Sequence, residues 1–425
     1  MASVFETLTQ RGLVAQASSD DLAKKLADEK MTLYIGFDPT ADSLHTGSLV
    51  PLVCAAHLQR AGHRVILLVG GATGMIGDPS FRSDERKLQT PEEIERNVAG
   101  IRKQIERFVD FGGETPAKIV NNADWIAPMS FIEWLRDVGK HFSVNAMIAR
   151  ESVRRRLEER EHGISFTEFS YQLLQAYDFA HLYAAHGCRL QAGGSDQWGN
   201  ITAGIDLVRK ARGAEVFGLT FPLVTTASGE KFGKSAGNAI WLSPERTSPY
   251  VFYQYWINTD DRDVVKYLNY FTFLSDDELA ALASGVESEP HKRAAQRALA
   301  WEVTKTVHGE KAAERARRAS EMIFGGGEID GLTDAEIEEV FAEVPSVTLP
   351  RAELDAGINI VELLSSSGLL KSKGAARKLV ISGGAYLNNR RVANHAMTVT
   401  PDSLASEHEL VLRSGKKTYR LVRFE

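Results

Sequence analysis

The chain has 425 residues, more than a single hydrophobic core usually holds, so we expect two or three domains. Its hydrophobic fraction of 43% supports globular packing. No run approaches the roughly 18 apolar residues of a membrane span, and Glu6 and Arg11 stand where a signal peptide would need an apolar core. Composition therefore favours a cytoplasmic protein without a membrane segment.

The net charge of −6 is unevenly distributed along the chain. Residues 351–425 hold 12 Lys and Arg against 7 Asp and Glu, a net charge of +5, which leaves −11 for the remainder. A basic tail suits a polyanionic partner, although a solvated basic surface has the same composition. Cys54 and Cys188 lack the spacing of a metal site or a disulfide framework, so we expect buried thiols and no protein-ligated metal.

The first candidate site is a strand that turns into a helix. Thr32–Phe37 is an apolar run typical of a buried strand, and an apolar helix is predicted to begin at Leu49, just after Gly47. The N-terminus of a helix carries unpaired N–H groups, and Thr40 and His45 stand beside it as donors to phosphate oxygens. The pattern predicts a nucleotide site, but a single histidine near a glycine is weak evidence.

A second strand follows the predicted helix. Residues 1–33 have the pattern of an amphipathic helical lead-in, whereas Arg64–Val69 is an apolar run that ends in glycines. Together with the preceding strand and helix it predicts a βαβ unit and a parallel sheet, with ligands at the carboxyl ends of the strands. Gly71–Ser80 falls at such an end, where Asp78 either holds an ammonium group or caps a turn.

Three further segments have open alternatives. The charged residues 81–87 could close over phosphates with Arg82 and Arg86, or simply be a solvated loop. Lys118–Trp125 contains a short strand-like run that could extend the sheet. Phe131–Met147 is apolar and aromatic, which fits either a subunit interface or an ordinary core.

Phe166–Phe179 has helical spacing of its apolar residues and a polar face. Tyr171 and Gln175 share that face, and Asp178 lies three residues further on, so all three can line one cavity. The helix is therefore a candidate wall of a substrate pocket.

Two later loops carry polar groups suited to a nucleotide. Arg189–Asn200 is a strand-to-helix junction in which glycines expose the backbone and Asp196 can accept hydrogen bonds from ribose hydroxyls. Ser228–Ser235 presents Lys231 and Lys234 on a glycine-containing loop, for which phosphate is the natural counterion.

The remainder of the chain reads as helices followed by a small basic domain. Residues 243–323 are predicted to be mostly helical, and Gly325–Gly327 marks a boundary. In the tail, Ile360–Leu364 and the basic run Lys371–Val380 are helix-like, and strands are predicted through Leu421. Such a domain suits recognition of RNA shape and phosphates.

Two motifs together resemble the signature sequences of class I aminoacyl-tRNA synthetases: Leu44–Ser48 and Lys231–Ser235. Four further segments narrow the resemblance to the bacterial tyrosyl-tRNA synthetases: Tyr34–Thr40, Gly77–Ser80, Tyr171–Asp178 and Gly193–Asn200. The match extends over essentially the whole chain. Two departures stand out, because Ser48 replaces the more usual His or Asn of the first motif, and Phe232-Gly233 replaces the Met-Ser of the second.

The resemblance implies an α/β protein. Residues 1–225 would form a Rossmann-like, parallel-sheet catalytic domain, with an inserted helical dimerisation segment at about 125–165. Residues 226–325 would hold the signature loop and an α-helical domain, and 326–350 a linker. Residues 351–425 would form a small α+β RNA-binding domain of the ribosomal-protein type.

The implied reaction has two steps. The carboxylate of L-tyrosine attacks the α-phosphorus of ATP and releases pyrophosphate, after which the tyrosyl group passes to the 3′-terminal adenosine of tRNA(Tyr). Mg²⁺ accompanies ATP, and no covalent enzyme intermediate is implied. Because a carboxylate is already a nucleophile at neutral pH, catalysis requires mainly positioning and charge neutralisation on the leaving pyrophosphate.

The resemblance also assigns roles by position. The catalytic residues that grip the β- and γ-phosphates would be Thr40, His45, Arg82, Arg86, Lys231 and Lys234. The tyrosine-binding residues would be Tyr34 and Asp178 at the phenol, Asp78, Tyr171 and Gln175 at the ammonium, and Gln191 and Gln197 nearby. The ATP-binding residues would be Gly36, Asp38, Thr40, His45, Gly47, Gly194, Asp196, Leu223, Val224, Lys231, Lys234 and Ser235. The tRNA-binding residues would be Arg209, Lys210, Lys371, Lys373, Arg377 and Lys378.

A different class of function also fits the basic tail. An RNA-binding protein could keep the synthetase scaffold and act as an RNA chaperone or splicing factor. The presence of His45, Asp178, Lys231 and Lys234 argues against a loss of catalysis.

Overall fold

The computed structural model describes residues 3–78, 89–150, 153–154, 157, 164–227, 232–235, 238–324, 328–341, 344–415 and 418–425; within these ranges, side chains 234, 235, 238 and 322–324 are not described. The chain divides into two compact units. The first unit consists of Met1–Thr247 and Tyr255–Val307, and the second of Ser248–Gln254 and His308–Glu425. Among the described residues, no helix combines the length and apolar character needed to cross a bilayer.

The helices of the described residues, in chain order, are α1 (Val4–Gln10), α2 (Leu22–Asp28), α3 (Leu49–Arg60), α4 (Thr73–Ile76), α5 (Pro91–Ile105), α6 (Ala123–Ile126), α7 (Phe131–Asp137), α8 (Val144–Ile148), α9 (Phe166–His186), α10 (Trp198–Arg212), α11 (Pro249–Ile257), α12 (Asp261–Phe271), α13 (Asp276–Ser288), α14 (Ala294–His308), α15 (Glu310–Phe324), α16 (Asp334–Val340), α17 (Arg351–Ala356), α18 (Ile360–Ser366) and α19 (Lys373–Ile381).

The strands are β1 (Gln16–Ala17), β2 (Thr32–Phe37), β3 (Arg64–Val69), β4 (Lys118–Asn121), β5 (Cys188–Gly194), β6 (Phe217–Phe221), β7 (Lys234–Ser235), β8 (Asn238–Ala239), β9 (Ser346–Leu349), β10 (Ile358–Asn359), β11 (Ala385–Leu387), β12 (Arg390–Arg391), β13 (Thr398–Val399), β14 (Glu409–Ser414) and β15 (Thr418–Phe424).

A six-stranded sheet forms the centre of the first unit, with the strand order β1-β6-β5-β2-β3-β4. All neighbouring pairs are parallel except β1 with β6. The predicted βαβ unit and the extension of the sheet by Lys118–Asn121 are confirmed. The helical lead-in prediction for residues 1–33 missed β1, because this two-residue strand is defined by its pairing with β6 and has no periodicity of its own.

The local sequence explains why the central elements form. The residues of β3 are buried along almost the whole strand, as expected where helices cover both faces of a parallel sheet. The long helix α9 begins at Ser165, whose side chain accepts from the Glu168 N–H, and ends at Gly187 in the left-handed conformation. The two buried cysteines, Cys54 and Cys188, are free thiols.

A five-stranded sheet with the order β12-β11-β14-β15-β9 forms the core of the second unit. One face packs against α18 and α19 through residues such as Leu364, Val380 and Leu412. The other face is covered by a second apolar cluster, in which Ile337 and Phe341 pack with Val411, Leu421 and their neighbours.

The whole of β9 and part of the second cluster, including Ile337 and Phe341, fall within residues 326–350, which the sequence prediction treats as a linker. β9 pairs in parallel with β15, and α16 supplies Ile337 to the cluster. The structure therefore differs from the linker expectation at these residues. Their strand and helix are short, and the contacts that order them are made with residues much later in the chain.

Candidate active site

The candidate site lies at the carboxyl ends of β2 and β5, the two central strands of the six-stranded sheet. From β2 the chain proceeds outward to β3 and β4 on one side, whereas β5 and β6 lie on the other side. Such a reversal of strand order opens a crevice at the strand ends, where ligands of parallel α/β sheets bind. Asp38 follows β2 and Asp196 follows β5, so the two predicted nucleotide segments lie at this crevice.

A buried carboxylate, Asp178 of α9, is held by two donors. Asn122 Nδ2 donates to Asp178 Oδ2 at 3.0 Å, and Trp125 Nε1 donates to Asp178 Oδ1 at 2.8 Å. Burial raises the pKa of Asp178 to about 7, although these two hydrogen bonds act in the opposite direction. Trp125 is itself held by a stacked His181 ring at 4.5 Å.

Tyr34 lies close to this carboxylate. Its ring is 1% exposed and packs against Phe179 with centroids 5.5 Å apart. Burial raises the pKa of Tyr34 well above 10.0, and the negative charge of Asp178 raises it further. The sequence-predicted pair, Tyr34 and Asp178, therefore forms a buried polar spot between β2 and α9.

A chain of hydrogen bonds links Asp178 to the turn after β2. Asn122 also donates to Thr73 Oγ1 at 3.0 Å, and Thr73 donates to Asp38 Oδ1 at 2.7 Å. The other Asp38 oxygen accepts from Tyr171 Oη at 2.8 Å. Because its proton is used in this way, Tyr171 keeps its oxygen lone pairs as acceptors for a ligand.

A second polar network surrounds Gln197. Its Nε2 donates to Asp78 Oδ2 at 2.8 Å and to Asp196 Oδ2 at 3.2 Å, and its Oε1 accepts from Gln175 Nε2 at 3.2 Å and Asn200 Nδ2 at 3.2 Å. Burial raises the pKa of Asp196, against the hydrogen bond from Gln197. The network brings together three predicted tyrosine-binding residues, Asp78, Gln175 and Gln197, and the predicted ATP-binding residue Asp196.

The first signature segment, Leu44–Ser48, ends in a turn of 3₁₀-helix, Thr46–Ser48, that leads into α3. His45 Nδ1 accepts from the Gly47 N–H at 3.0 Å, so the proton of a neutral ring resides on Nε2. His45 is exposed, yet the surrounding protein desolvates the ring enough to lower its pKa below 6.5. The lowered pKa favours the neutral imidazole, whose Nε2–H is available as a donor. Thr40 is also exposed.

The second signature segment lies beside the first. Ile240 N–H donates to Gly233 O at 2.8 Å, Thr46 N–H to Ile240 O at 3.0 Å, and Leu242 N–H to Leu44 O at 2.8 Å. These bonds connect the backbone of the second signature segment to residues 44–46 through Ile240 and Leu242. The strand β7, which contains Lys234 and Ser235, directly follows Gly233 in this segment. The Lys234 and Ser235 side chains, and all of Arg82, Arg86 and Lys231, lie outside the described residues.

The remaining predicted ligand residues surround the crevice or lie below it. Gly36 is exposed at the end of β2, Gly194 is half-buried at the end of β5, Leu223 is 55% exposed and Val224 is half-buried. Gln191 is buried on β5, with its Oε1 beside Gly204; no hydrogen-bond partner for this atom occurs among the described residues.

The predicted tRNA-binding residues are exposed in both units. In the first unit, Arg209 and Lys210 both pair with Asp206. In the second unit, Lys373 pairs with Glu362, and Arg377 contacts the His395 ring at 3.2 Å. The other two are Lys371 and Lys378.

One group of described side chains has the spacing of metal ligands. Atoms of Asp334, Glu407 and His408 lie within 4.8 Å of one another in the second unit. Asp334 already accepts a hydrogen bond from His408 N–H at 3.0 Å and contacts its Nδ1 at 2.7 Å. These contacts join the start of α16 to the residue before β14 and account for the short distances without a metal ion.

Sequence reasoning missed Thr73, Asn122 and Trp125 as parts of the site. Thr73 stands in the glycine-rich segment after β3, and Asn122 and Trp125 directly follow β4. Their position after parallel strands was the available signal. Asp178, the partner of Asn122 and Trp125, comes over fifty residues later, so these contacts are not visible in the local sequence.

Comparisons with known proteins agree with this geometry. The family model "tRNA synthetases class I (W and Y)" matches residues 26–325, and "Tyrosine--tRNA ligase SYY-like C-terminal domain" matches residues 336–422. The chain is 54% identical over 420 residues to a "Tyrosine--tRNA ligase" of Geobacillus kaustophilus, with 98% of each chain covered. It is 52% identical over 424 residues to a protein of the same name from Opitutus terrae, with 99% of each covered.

A solved structure of a related protein has a similar fold. The C-terminally truncated mitochondrial tyrosyl-tRNA synthetase of Aspergillus nidulans has a TM-score of 0.69 and 31% identity, and the match covers 76% of this chain and 95% of that one. The chain belongs to the class I tRNA synthetase family of the tryptophan and tyrosine type. Members of this class are ligases that use ATP to join an amino acid to tRNA.

Proposed function

We propose that the protein is a tyrosine–tRNA ligase, which activates L-tyrosine with ATP and transfers the tyrosyl group to tRNA(Tyr). The observation that carries the choice of amino acid is the buried pair of Tyr34 and Asp178 within the crevice of a class I synthetase. The relatives at 52% and 54% identity, both named tyrosine--tRNA ligase, align with this chain over nearly their whole length.

The buried pair suits a phenol. An ionised Asp178 accepts the phenolic proton, and Tyr34 Oη provides a second polar partner at the same place. Phenylalanine offers neither group a hydrogen bond. Asp178 would keep its Asn122 and Trp125 donors and Tyr34 its contact with Gln175 O, but the missing bond costs about 0.5–1.5 kcal/mol at Tyr34 and about 1.5–3 kcal/mol at the charged Asp178. Discrimination thus follows from the polarity of the pocket as well as from its size.

The amino group of tyrosine would be bound by acceptors nearer the strand ends. An ammonium group only donates hydrogen bonds, and Asp78, Tyr171 and Gln175 offer a carboxylate, a phenolic oxygen and an amide oxygen. Gln197 orients two of these groups through its hydrogen bonds to Asp78 and Gln175. Gln191 would lie beside the substrate from β5.

ATP would occupy the crevice between the ends of β2 and β5. Gly36 and Gly194 would let the nucleotide approach the backbone, Asp196 would bind the ribose, and Leu223 and Val224 would flank the adenine. Asp38 is already bonded to Thr73 and Tyr171, so it would also order the turn that meets the nucleotide.

Activation requires little covalent chemistry from the protein. The substrate carboxylate is the nucleophile, and the α-phosphorus–oxygen bond to pyrophosphate breaks as the new bond forms. Neutral His45 would donate its Nε2–H to the leaving group, and Thr40 would donate its hydroxyl. The cationic groups at this position would be Arg82, Arg86, Lys231 and Lys234, together with Mg²⁺ carried by ATP.

The partners follow from two surfaces. The basic side chains of α19 and its preceding loop would contact tRNA phosphates, and Arg209 and Lys210 would do so on the first unit. Exposed apolar side chains cluster in the segment predicted to form a homodimer: Phe131, Ile132, Leu135, Val144 and Ile148. We place this activity in the cytoplasm, where the tRNA substrate would be charged.

Pyrophosphate exchange into ATP, measured separately with each amino acid, tests the proposal. We expect exchange with tyrosine and none above background with phenylalanine or tryptophan. Exchange with tryptophan in place of tyrosine would overturn the specificity. The alternative of an RNA-binding protein without catalysis predicts no trapped adenylate when the protein is titrated with tyrosine and ATP.

A further inference from the structure

Phe232, part of the Phe232-Gly233 departure in the second signature motif, packs into a cage of aromatic side chains. Its ring stacks on Phe271 at 5.4 Å with an interplanar angle of 5°, and lies 5.2 Å from Tyr267. Trp256 and Tyr255 complete the cage at 5.9 Å and 6.2 Å. Three of these rings are buried, so Phe232 is anchored to α11 and α12.

The next residue, Gly233, is held on two sides. Its N–H donates to Tyr255 Oη at 3.0 Å, and its carbonyl accepts from Ile240 N–H at 2.8 Å. Its φ of +79° is in the left-handed region, and a Cβ would come within 2.4 Å of Thr46 Oγ1. Glycine is required here both by conformation and by contact with the first signature segment.

The chain then continues alongside His45. The bridge between His45 and Trp241 is antiparallel, and the two rings meet edge to face with centroids 6.2 Å apart. One continuous stretch, residues 232–242, with 236–237 outside the described residues, thus runs from the aromatic cage to the first signature histidine.

We propose that Phe232 and Tyr255 form a clasp that positions the second signature segment against His45 for the activation step. The clasp rests on the proposed function, since its effect is exerted on ATP. Neither side chain is assigned a contact with substrate, so both are positioning residues. Phe232 fixes the segment by packing, and Tyr255 fixes its backbone by accepting the Gly233 N–H.

The clasp has a specific kinetic consequence. Contacts to the β- and γ-phosphates act mainly as pyrophosphate leaves, so a displaced segment lowers the rate of activation more than it weakens tyrosine binding. A purely structural role would instead lower the unfolding temperature and leave the kinetic constants of the folded enzyme unchanged.

Tyr255→Phe tests the clasp with the least disturbance, because the ring stays in the cage and only the acceptor of the Gly233 N–H is removed. In tyrosine-dependent pyrophosphate exchange we expect kcat to fall by about 3- to 10-fold, as for the loss of one hydrogen bond, with the KM for tyrosine unchanged. Phe232→Ala should lower kcat further, and Phe232→Met should restore part of it because methionine refills the cage.

Tyr270→Phe is the matched control. Tyr270 lies on α12, the helix that supplies Tyr267 and Phe271 to the cage, and its ring centroid is 6.2 Å from that of Phe271, but its hydroxyl lies beside Gly12. This variant should keep wild-type kcat and KM. A Tyr255→Phe enzyme with wild-type kcat, or one whose KM for tyrosine rises as much as kcat falls, would overturn the clasp.

Hydrogen exchange provides a measurement that does not depend on activity. In Tyr255→Phe, amides of residues 233–242 should exchange faster than in wild type and in Tyr270→Phe, while those of β2 and β3 stay unchanged. Unchanged exchange at 233–242 would refute the clasp even if the wild-type enzyme proved inactive with tyrosine, an outcome that would separately refute the proposed function.

Discussion

At the scale of single residues, the proposed function makes recognition of the amino acid depend on the ionisation of Asp178. Burial raises the pKa of its carboxyl to about 7, whereas an unfolded chain releases this proton near 3.8. The native state therefore holds a proton that the unfolded state has lost between these two values, so this group contributes less to stability as the pH rises through the window. We therefore expect recognition of tyrosine and stability to depend on pH in opposite ways.

The first prediction follows from this ionisation. Because Asp178 must be ionised to accept the phenolic proton, kcat/KM for tyrosine should rise between about pH 6 and pH 8 and level off above that range. Exchange kinetics at limiting tyrosine measure it. Asp178→Asn should weaken tyrosine use and remove the step. A flat profile in wild type would show that the phenol does not depend on this carboxylate.

Some residues of the site could be predicted from the sequence, and others could not. Tyr34, Asp78, Tyr171, Gln175 and Asp178 could be proposed because each stands in a motif at a strand end or on a helix face. Asn122 and Trp125 could not, because they act through Asp178 and their contacts depend on how β4 and α9 are brought together. Motif similarity identifies groups that face a ligand more readily than the groups that hold them.

At the scale of elements, β9 and α16 are integral to the sheet of the second unit. β9 supplies an edge strand to β15, and α16 covers a face on which Val411 and Leu421 would otherwise be exposed. Continuous apolar runs such as β3 were predictable from sequence. These shorter elements were not, since four residues of alternating burial carry too little periodicity to define a strand.

A prediction about truncation belongs to this scale. A chain ending at residue 350 keeps Ile337 and Phe341 but loses their partners on the sheet, and each apolar side chain returned to water costs about 1.5–3 kcal/mol. We expect this chain to bind an apolar dye and to aggregate, whereas a chain ending at residue 327 should do neither. Equal dye binding by the two truncated proteins would contradict the assignment of residues 328–350 to this sheet.

At the scale of the whole molecule, the groups proposed for activation and for tRNA binding fall in different parts of the sequence. All of the predicted tyrosine and ATP residues precede residue 236, and the basic tail begins more than a hundred residues later. The solved fungal relative is a C-terminally truncated synthetase whose match covers 76% of this chain.

This separation gives the last prediction. The chain ending at residue 327 should keep tyrosine-dependent pyrophosphate exchange within about 2-fold, while charging of tRNA(Tyr) falls by at least about 10-fold at physiological salt. Replacing the basic residues of the tail by glutamine in the full chain should reproduce the loss of charging: Lys371, Lys373, Arg377 and Lys378. Equal loss of exchange and charging would contradict a tail that serves only tRNA.

The hydrogen-bond chain from Tyr171 through Asp38, Thr73 and Asn122 to Asp178 has a consequence for attempts to change the substrate. Removing the Asp178 carboxylate to admit an amino acid without a phenol also removes an acceptor of the Asn122 amide. The rearrangement would then reach the turn after β2, where the proposed function places ATP. A library that varies only Tyr34 and Asp178 should therefore yield enzymes with an altered amino-acid preference but slow activation. Variants that activate the new substrate quickly should carry compensating changes at Thr73 or Asn122.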